Sequence, residues 1–230
     1  MTLRNILLPL ALAAGTLSAS QMACLNPVHS FADGKKMTQS DFSANVAFAK
    51  ACIHTTSIGY GSSQHRENET TIVDGTVYLA HPDANNHIIL RTQPKLGEGA
   101  TMLQVATPDG WSKGQDVEGI GSLEDLAFIF DDMADDMECH GKARWPFKIT
   151  GHAKKITWSM DTLPKHLVTT AHDQQVTVVG IYDTATRKKT FMVKGSNLHA
   201  HVLMPNIHAA GHVREIEFVG EAHLSLPIYK

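Results

Sequence analysis

Cysteine, excess charge and strong compositional bias are all scarce in this sequence of 230 residues. It has only three Cys and no Cys-x-x-Cys pair, which argues against a thiolate zinc site and against thioredoxin-like chemistry. The formal net charge of -3 argues against nucleic acid or an anionic membrane as the main partner. No bias indicates disorder, collagen or a coiled coil. We therefore expect a globular protein with a substantial core.

Near the N-terminus, a run of roughly a dozen apolar residues lies between a single cation and several small residues, which is typical of a secretory signal peptide. A membrane span would need about 20 apolar residues. We predict a signal peptide over residues 1–23, cleaved after position 20 or 23, and a periplasmic or secreted protein with no stable membrane span. The second position would leave Cys24 first, where lipidation is conceivable, although the preceding residues are a poor lipidation signal. In an exported protein, Cys52 and Cys139 are a candidate disulfide pair.

The first half of the chain shows patterns of both helices and strands. Residues 24–40 predict an irregular segment, and apolar positions at helical spacing over 40–52 predict a helix capped by Ser40 or Asp41. β-Branched residues on both sides of Asp74-Gly75 predict a hairpin. Further strands are predicted at 88–93 and 100–106, and a helix capped by Ser122 at 122–137.

The second half is richer in short β-branched segments bounded by turn residues. They lie at 146–158, 174–183, 189–195, 198–204 and 211–220. This regular pattern predicts a compact sheet or barrel. We predict an α+β fold, with a mixed β-sheet N-terminal subdomain and its helices (24–140) packed on a β-rich, barrel-like C-terminal subdomain (141–230).

Three histidines in the second half have the spacing of a metal site. His199 and His201 are separated by one residue in an apolar run. Because side chains alternate between the two faces of a strand, both imidazoles should point the same way, about 7 Å apart along the chain. Pro205-Asn206 interrupts that strand, so the next run can pair back and place His212 opposite the first two. Three His with an open fourth position are typical of a catalytic zinc site, and imidazole also suits other divalent transition metals.

The same segment resembles the α-acetolactate decarboxylase family. That family has a His-x-His strand followed, after ten intervening residues, by the His of a Gly-His-Val segment, and residues 202–211 supply the ten here. A second similarity is the order of four features along the chain. These are a Gly-x-Gly segment, a Glu, an Asp-Gly turn and a Tyr-containing strand. In this chain these are Gly59-Tyr60-Gly61-Ser62, Glu69, Asp74-Gly75 and Val77-Tyr78. The helix at 122–137 followed by Pro-Phe-Lys-Ile-Thr-Gly is a third, weaker similarity.

The resemblance implies a site and a reaction. It implies that His199, His201 and His212 hold a metal, with Zn expected, that Glu69 is the catalytic carboxylate, and that Ser62 keeps the hydroxyl of a pocket Thr. The implied reaction is the metal-dependent decarboxylation of a small 2-hydroxy-3-keto acid, 2-acetolactate to acetoin plus CO2. A homodimer is also implied.

Two features of the family lack a counterpart at the matching positions. A pocket Arg of the family corresponds to the Arg-free stretch 157–160, and Arg91, Arg144 and Arg214 are the candidate replacements. The family also carries a second active-site Glu in a C-terminal extension, for which Glu217 and Glu221 are the candidates here.

Three alternative interpretations stay open at this point. A cupin-like metalloenzyme also carries a His-x-His pair, although the Glu that usually follows it is missing from 202–206. An exported, non-catalytic protein could bind a metal or small ligand on the same scaffold. A structural module whose histidines are merely packed would bind no stoichiometric metal.

Overall fold

The computed structural model describes residues 23–186, 191–193 and 195–230. The predicted signal peptide lies outside these residues except for Ala23. Of the strand predicted at 189–195, residues 189, 190 and 194 also lie outside them, and residues 191–193 form a turn rather than a strand. Within the described part of the chain, no helix is long and apolar enough to span a membrane.

The first sheet is built from the first half of the chain. Its strands are β1 (His29–Phe31), β2 (Val46–Ala47), β3 (Ile58–Ser63), β4 (Glu69–Val73), β5 (Thr76–Pro82), β6 (Ile88–Arg91) and β7 (Gly99–Ala106). They are antiparallel neighbours in the order β1-β7-β3-β4-β5-β6, with β2 also paired to β7. The predicted hairpin at Asp74-Gly75 is confirmed, since it joins β4 to β5 and both residues have positive φ.

The second sheet is built mainly from the second half. Its strands are β9 (Gln115–Val117), β10 (Arg144–Met160), β11 (Leu167–Asp183), β12 (Leu198–Met204), β13 (Ala209–Phe218) and β14 (Ala222–Ser225). A separate antiparallel pair is formed by β8 (Gly110–Trp111) and β15 (Pro227–Ile228). Because β10 pairs with both β11 and β13, the pairings β10–β11–β12–β13 return to their start. This cycle gives the second half its barrel-like character.

The two described helices differ in length and role. They are α1 (Gly34–Thr38) and α2 (Leu123–Asp136), and 3-10 turns occupy Phe48–Lys50, Gln64–Arg66 and Pro205–Ile207. The predicted cap of α2 is confirmed, because Ser122 Oγ accepts the N–H of Asp125 at 3.0 Å. Phe130 of α2 packs on Phe147 of β10 with ring centroids 4.9 Å apart. The helix therefore covers one face of the second sheet.

The sheets meet through a small apolar cluster that includes Ile58 and Val73 of the first sheet and Val179, Leu203 and Ala210 of the second. The predicted α+β class, with a β-sheet N-terminal half packed on a β-rich, barrel-like half, is confirmed. The domain boundary predicted at residue 140 stays a prediction.

The helix predicted over 40–52 is wrong. Its backbone donors go to β7 and the residue before it, since Asn45 N–H and Phe48 N–H donate to the carbonyls of Ala100 and Glu98. Asp41 accepts the N–H of Ser43 in a local turn, not a helix cap. A free sheet edge outweighed the weak helical periodicity of this short stretch. The irregular segment predicted over 24–40 also contains α1 and β1.

The candidate disulfide was also wrong. Cys139, just after α2, is bonded to Cys24, and Cys52 is a free, exposed thiol. Spacing in the sequence could not distinguish these pairings, since the bond depends on how the N-terminal segment returns to the second sheet. There, Arg144 N–H donates to the Cys24 carbonyl at 2.7 Å. The disulfide therefore ties the start of the described chain to the end of α2.

Candidate metal centre

The structure brings the three predicted histidines together on paired strands. His199 and His201 lie on the same face of β12, and His201 is directly opposite His212 of β13. The turn at Pro205–Ile207 and His208, whose φ is +49°, reverses the chain between the two strands. One nitrogen atom from each of the three imidazoles lies within 4.8 Å of those of the others, so this cluster could hold a metal ion.

Each histidine uses its Nδ1 to contact an orienting group. His199 Nδ1 is bonded to the carbonyl of Phe191, and His201 Nδ1 lies 2.9 Å from Thr71 Oγ1. His212 Nδ1 lies 3.5 Å from Asp161 Oδ2. Partners of this kind fix the ring orientation and the tautomer of metal-binding histidines.

The three Nε2 atoms, in contrast, are buried and have no hydrogen-bond partner among the described residues. A buried polar atom without a partner requires an explanation, and a bound ion is one. Three converging imidazole lone pairs suit Zn²⁺ and similar divalent ions, with further positions left for substrate or water. The residues present therefore fit a divalent metal ion.

Burial also fixes the charge state of the cluster. Burial and the neighbouring His212 lower the pKa of His199 to about 3. The same causes, with His199 itself as a neighbour, lower the pKa of His201 well below its ordinary value. Burial lowers the pKa of His212 as well. All three imidazoles are therefore neutral near pH 7, which is the form that binds metals.

Glu69 lies at the start of β4, at the edge of the cluster. Its Oε2 accepts the backbone N–H of Asp161 at 2.8 Å, and its Oε1 lies 3.5 Å from His201 Nε2. Burial raises the pKa of Glu69 to about 8. In the metal-free protein this carboxyl can thus hold a proton at neutral pH.

Ser62 lies beside Glu69, since the two residues are register partners on β3 and β4. Gly61 precedes it, and a Cβ at that position would collide with the carbonyl oxygen of Met102 on β7. The Gly-x-Gly pattern thus allows β3 to pass close to β7 beneath the site. Tyr60, between the glycines, places its ring 4.1 Å from that of His199, centroid to centroid.

These groups share one cavity of about 290 Å³. One wall is polar and carries the three histidines with Ser62 and Glu69, while much of the rest is apolar. The apolar lining comes from Met37, Phe42, Met102, Phe191, Met192 and Val193. A small organic acid with a short alkyl group would match both kinds of wall.

None of the three arginines considered from the sequence lines this cavity. Arg91 is paired with Glu98, and Arg144 with Asp183 at 3.1 Å. Arg214 donates to Asp161 beside His212 but does not line the cavity itself. Among the residues that the structure describes, the arginine that lines it is Arg66.

Arg66 was missed because nothing in its local pattern distinguishes it. It lies in the 3-10 turn between β3 and β4, with a φ of +57°. Its Nη2 donates to the Asp161 carbonyl at 2.7 Å, and its guanidinium lies 5.4 Å from the centroid of the Phe42 ring. The only available signal was its position three residues before Glu69.

The candidates for a second acid were also wrong. Glu217 pairs with Lys154 on the surface at 2.7 Å, and Glu221 is exposed. The second carboxylate of the cavity is Asp161, directly after β10. Burial alone would raise the pKa of Asp161, but the hydrogen bond with His212 and the charge of Arg214 outweigh it and hold the pKa well below its usual range.

Comparison with known proteins identifies the class of fold. No protein-family model matches the sequence, and no curated protein matches it significantly. Solved structures with the α-acetolactate decarboxylase fold do match over most of the chain. The acetolactate decarboxylase of Bacillus subtilis subspecies spizizenii is 13% identical, with a TM-score of 0.65 over 88% of this chain and 87% of that one.

Two further structures agree with that match. A Staphylococcus aureus protein of unknown function, described as similar to α-acetolactate decarboxylase, is 15% identical, with a TM-score of 0.64 over 88% of this chain and 86% of that one. The α-acetolactate decarboxylase of Bacillus subtilis strain 168 is 13% identical, with a TM-score of 0.63 over the same shares. At these identities the likeness shows a common fold. The resemblance identified from the motifs is thus confirmed at the level of the fold.

Proposed function

We propose that the protein is a metal-dependent carboxy-lyase that converts 2-acetolactate to acetoin and CO2. The observation that carries the proposal is the set of three neutral imidazoles with buried, unpartnered Nε2 atoms, which share a cavity with a protonatable carboxyl and a guanidinium. The common fold with acetolactate decarboxylases supports this choice of reaction.

His199, His201 and His212 would hold the metal, with Zn²⁺ the expected ion and other divalent transition metals suitable. A divalent cation held there supplies Lewis-acid stabilisation of the negative charge that develops on the substrate oxygens. Thr71 and the Phe191 carbonyl contact the Nδ1 atoms of His201 and His199 and keep these two rings oriented.

Glu69 would supply the proton. When the C–C bond to the carboxylate of a 2-hydroxy-3-keto acid breaks, CO2 leaves and the bonding electrons stay on the former C2 and the neighbouring carbonyl. That carbon must then take up one proton to give the hydroxyketone. The buried Glu69 carboxyl lies at the edge of the histidine cluster, where it is placed to deliver that proton, and water would restore it afterwards.

Arg66 and Ser62 would bind the substrate. Arg66 is the guanidinium lining the cavity, and a positive charge there suits the substrate carboxylate before it leaves. The Ser62 hydroxyl has only a 3.4 Å contact to the Ser63 carbonyl, so it can bond a substrate oxygen.

A non-catalytic protein that binds a metal or small ligand at this site is the second candidate. It is favoured by the lack of a Glu from residues 217–221 in the cavity. We do not propose a cupin-like enzyme, because the fold is similar to that of acetolactate decarboxylases. Packed, metal-free histidines do not account for three buried Nε2 atoms without partners.

Acetoin formation from racemic 2-acetolactate tests the proposal. The zinc-loaded wild type should produce acetoin, and His199→Ala should abolish production. His208→Ala is the matched control, because His208 lies in the turn of the same hairpin, is exposed and should be dispensable. Stoichiometric metal without acetoin formation in the wild type would favour the binding protein over the enzyme.

We also propose that the protein is exported. The Cys24–Cys139 disulfide is the kind of bond that persists outside the reducing cytosol. A Cys24 thiol in that disulfide cannot carry a lipid.

The position of cleavage can also be proposed. The Ala23 carbonyl accepts the Nε1 proton of buried Trp145 at 2.9 Å, and cleavage after position 23 would remove this contact. The contact therefore favours cleavage after position 20. The intact mass of the exported protein tests both points. The homodimer stays a prediction.

A further inference from the structure

Asp161 contacts groups on both sides of the candidate centre, and we infer that its carboxylate is a positioning residue that orients His212 for metal binding. The inference rests on that part of the proposed function in which the three histidines hold a metal. It does not depend on which reaction follows.

The main chain of Asp161 reaches the first sheet. Its N–H donates to Glu69 at 2.8 Å and its carbonyl accepts from Arg66 at 2.7 Å. Both contacts belong to the backbone, so a side-chain substitution at position 161 leaves their chemistry in place. This allows the role of the carboxylate to be tested separately.

The side chain of Asp161 reaches the second sheet. Ser159, two residues earlier on β10, is the register partner of His212, which places the Asp161 carboxylate beside that imidazole. Oδ2 lies 3.5 Å from His212 Nδ1, at the long limit of a hydrogen bond. Arg214 Nη2 holds both carboxylate oxygens, at 2.7 and 3.0 Å, and His166 Nδ1 lies 2.9 Å from Oδ1. These contacts hold the carboxylate in place beside His212.

A carboxylate at this place has a specific effect on the imidazole. It is placed to accept the Nδ1 proton of His212, which would keep the lone pair on Nε2, and its negative charge would make the ring a better metal ligand. His199 and His201 have a neutral carbonyl and a neutral hydroxyl at the same position. Among the described residues, Asp161 is thus the anionic Nδ1 partner in the cluster.

Zinc affinity of the metal-free protein, measured by competition with a chromophoric chelator, tests the inference. Asp161→Asn should weaken Zn²⁺ binding by about 10–100-fold. Asp116→Asn is the matched control, since Asp116 Oδ1 lies 2.9 Å from His223 Nδ1 in an exposed pair outside the cavity. It should keep the wild-type affinity. Unchanged affinity in Asp161→Asn would overturn the inference.

A double-mutant cycle with His212→Ala shows whether Asp161 acts through this histidine. If it does, Asp161→Asn should have little further effect on the residual Zn²⁺ affinity of His212→Ala. The uncompensated charge of Arg214 would repel the metal in either background. An equal loss in both backgrounds would therefore assign the effect to charge and overturn the positioning role.

If Asp161→Asn does not fold, the variant Asp161→Glu and the absorption spectrum of bound Co²⁺ test the inference instead. Asp161→Glu keeps the charge but moves the oxygens by one methylene, so it should also weaken binding and change the visible absorption of bound Co²⁺. Wild-type affinity and spectrum in Asp161→Glu would contradict the inference. If Asp161→Asn weakens Zn²⁺ binding but even the wild type does not decarboxylate 2-acetolactate, only the proposed reaction is overturned. A wild type that binds no Zn²⁺ would overturn both the reaction and the inference.

Discussion

The hydroxyl of Thr71 offers a sharp test of how the two sheets jointly build the metal centre. Thr71 is fully buried on β4, and its Oγ1 lies 2.9 Å from Nδ1 of His201 on β12. Thr71→Val keeps the branched shape and removes the hydroxyl. The Nδ1 of a fully buried imidazole then loses its partner, which costs about 1–3 kcal/mol of unfolding free energy. Metal affinity should fall as well, by about 10–100-fold.

The adjacent residue provides the matched control. Thr70 is also fully buried on β4, but its Oγ1 has no hydrogen-bond partner among the described residues. Thr70→Val should therefore leave the free energy of unfolding unchanged or raise it. Urea unfolding of the metal-free proteins, followed by circular dichroism, measures both values. Equal stability of the two variants, or a less stable Thr70→Val, would refute the reasoning.

Four further predictions concern charge and covalent structure. Glu69→Gln should lower turnover by about 10²–10⁴-fold while Zn²⁺ affinity, measured by chelator competition, persists, since it removes the proton donor and no ligand. Arg66→Met should lower kcat/KM for 2-acetolactate by about 10–100-fold, with inhibition by acetoin, which has no carboxylate, unchanged as the control. Cys139→Ser should cost about 2–5 kcal/mol in urea unfolding because it opens a long covalent loop, whereas Cys52→Ser should cost nothing. The unfolding temperature of the metal-free protein should fall between pH 6 and 5. The reason is that histidines of the unfolded chain bind protons below about pH 6.5, whereas the two histidines of β12 have lowered pKa values in the folded protein and stay neutral. The raised pKa of Glu69 acts in the opposite direction, since its stabilising effect is lost as the pH rises through about 8, so the downward shift should be larger in Glu69→Gln.

The placement of the three histidines was predictable from the sequence because it depends on local geometry. Alternation along one strand puts His199 and His201 on one face, and a two-strand hairpin needs only a turn at Pro205-Asn206 to bring His212 opposite. Glu69 and Ser62 were predicted through the family resemblance, since an isolated Glu in a strand carries no signal of its own. The structure places both beside the histidines.

Asp161 and Arg66 were not predictable in this way. Each lies just outside a regular strand, and they meet only because the end of β10 packs against the turn between β3 and β4. The three arginines considered instead each have an acidic partner. Similarly, Cys24 reaches Cys139 across a separation of 115 residues, which no spacing rule anticipates. Long-range packing decided all of these contacts.

We propose that one divalent ion at the three histidines enables decarboxylation. A titration of Zn²⁺ into metal-free protein, with CO2 release from 2-acetolactate as the readout, tests this requirement. The rate of CO2 release should rise from the uncatalysed background and reach its plateau at one ion per chain. The full rate without added metal, or no increase at saturating Zn²⁺, would contradict the proposal.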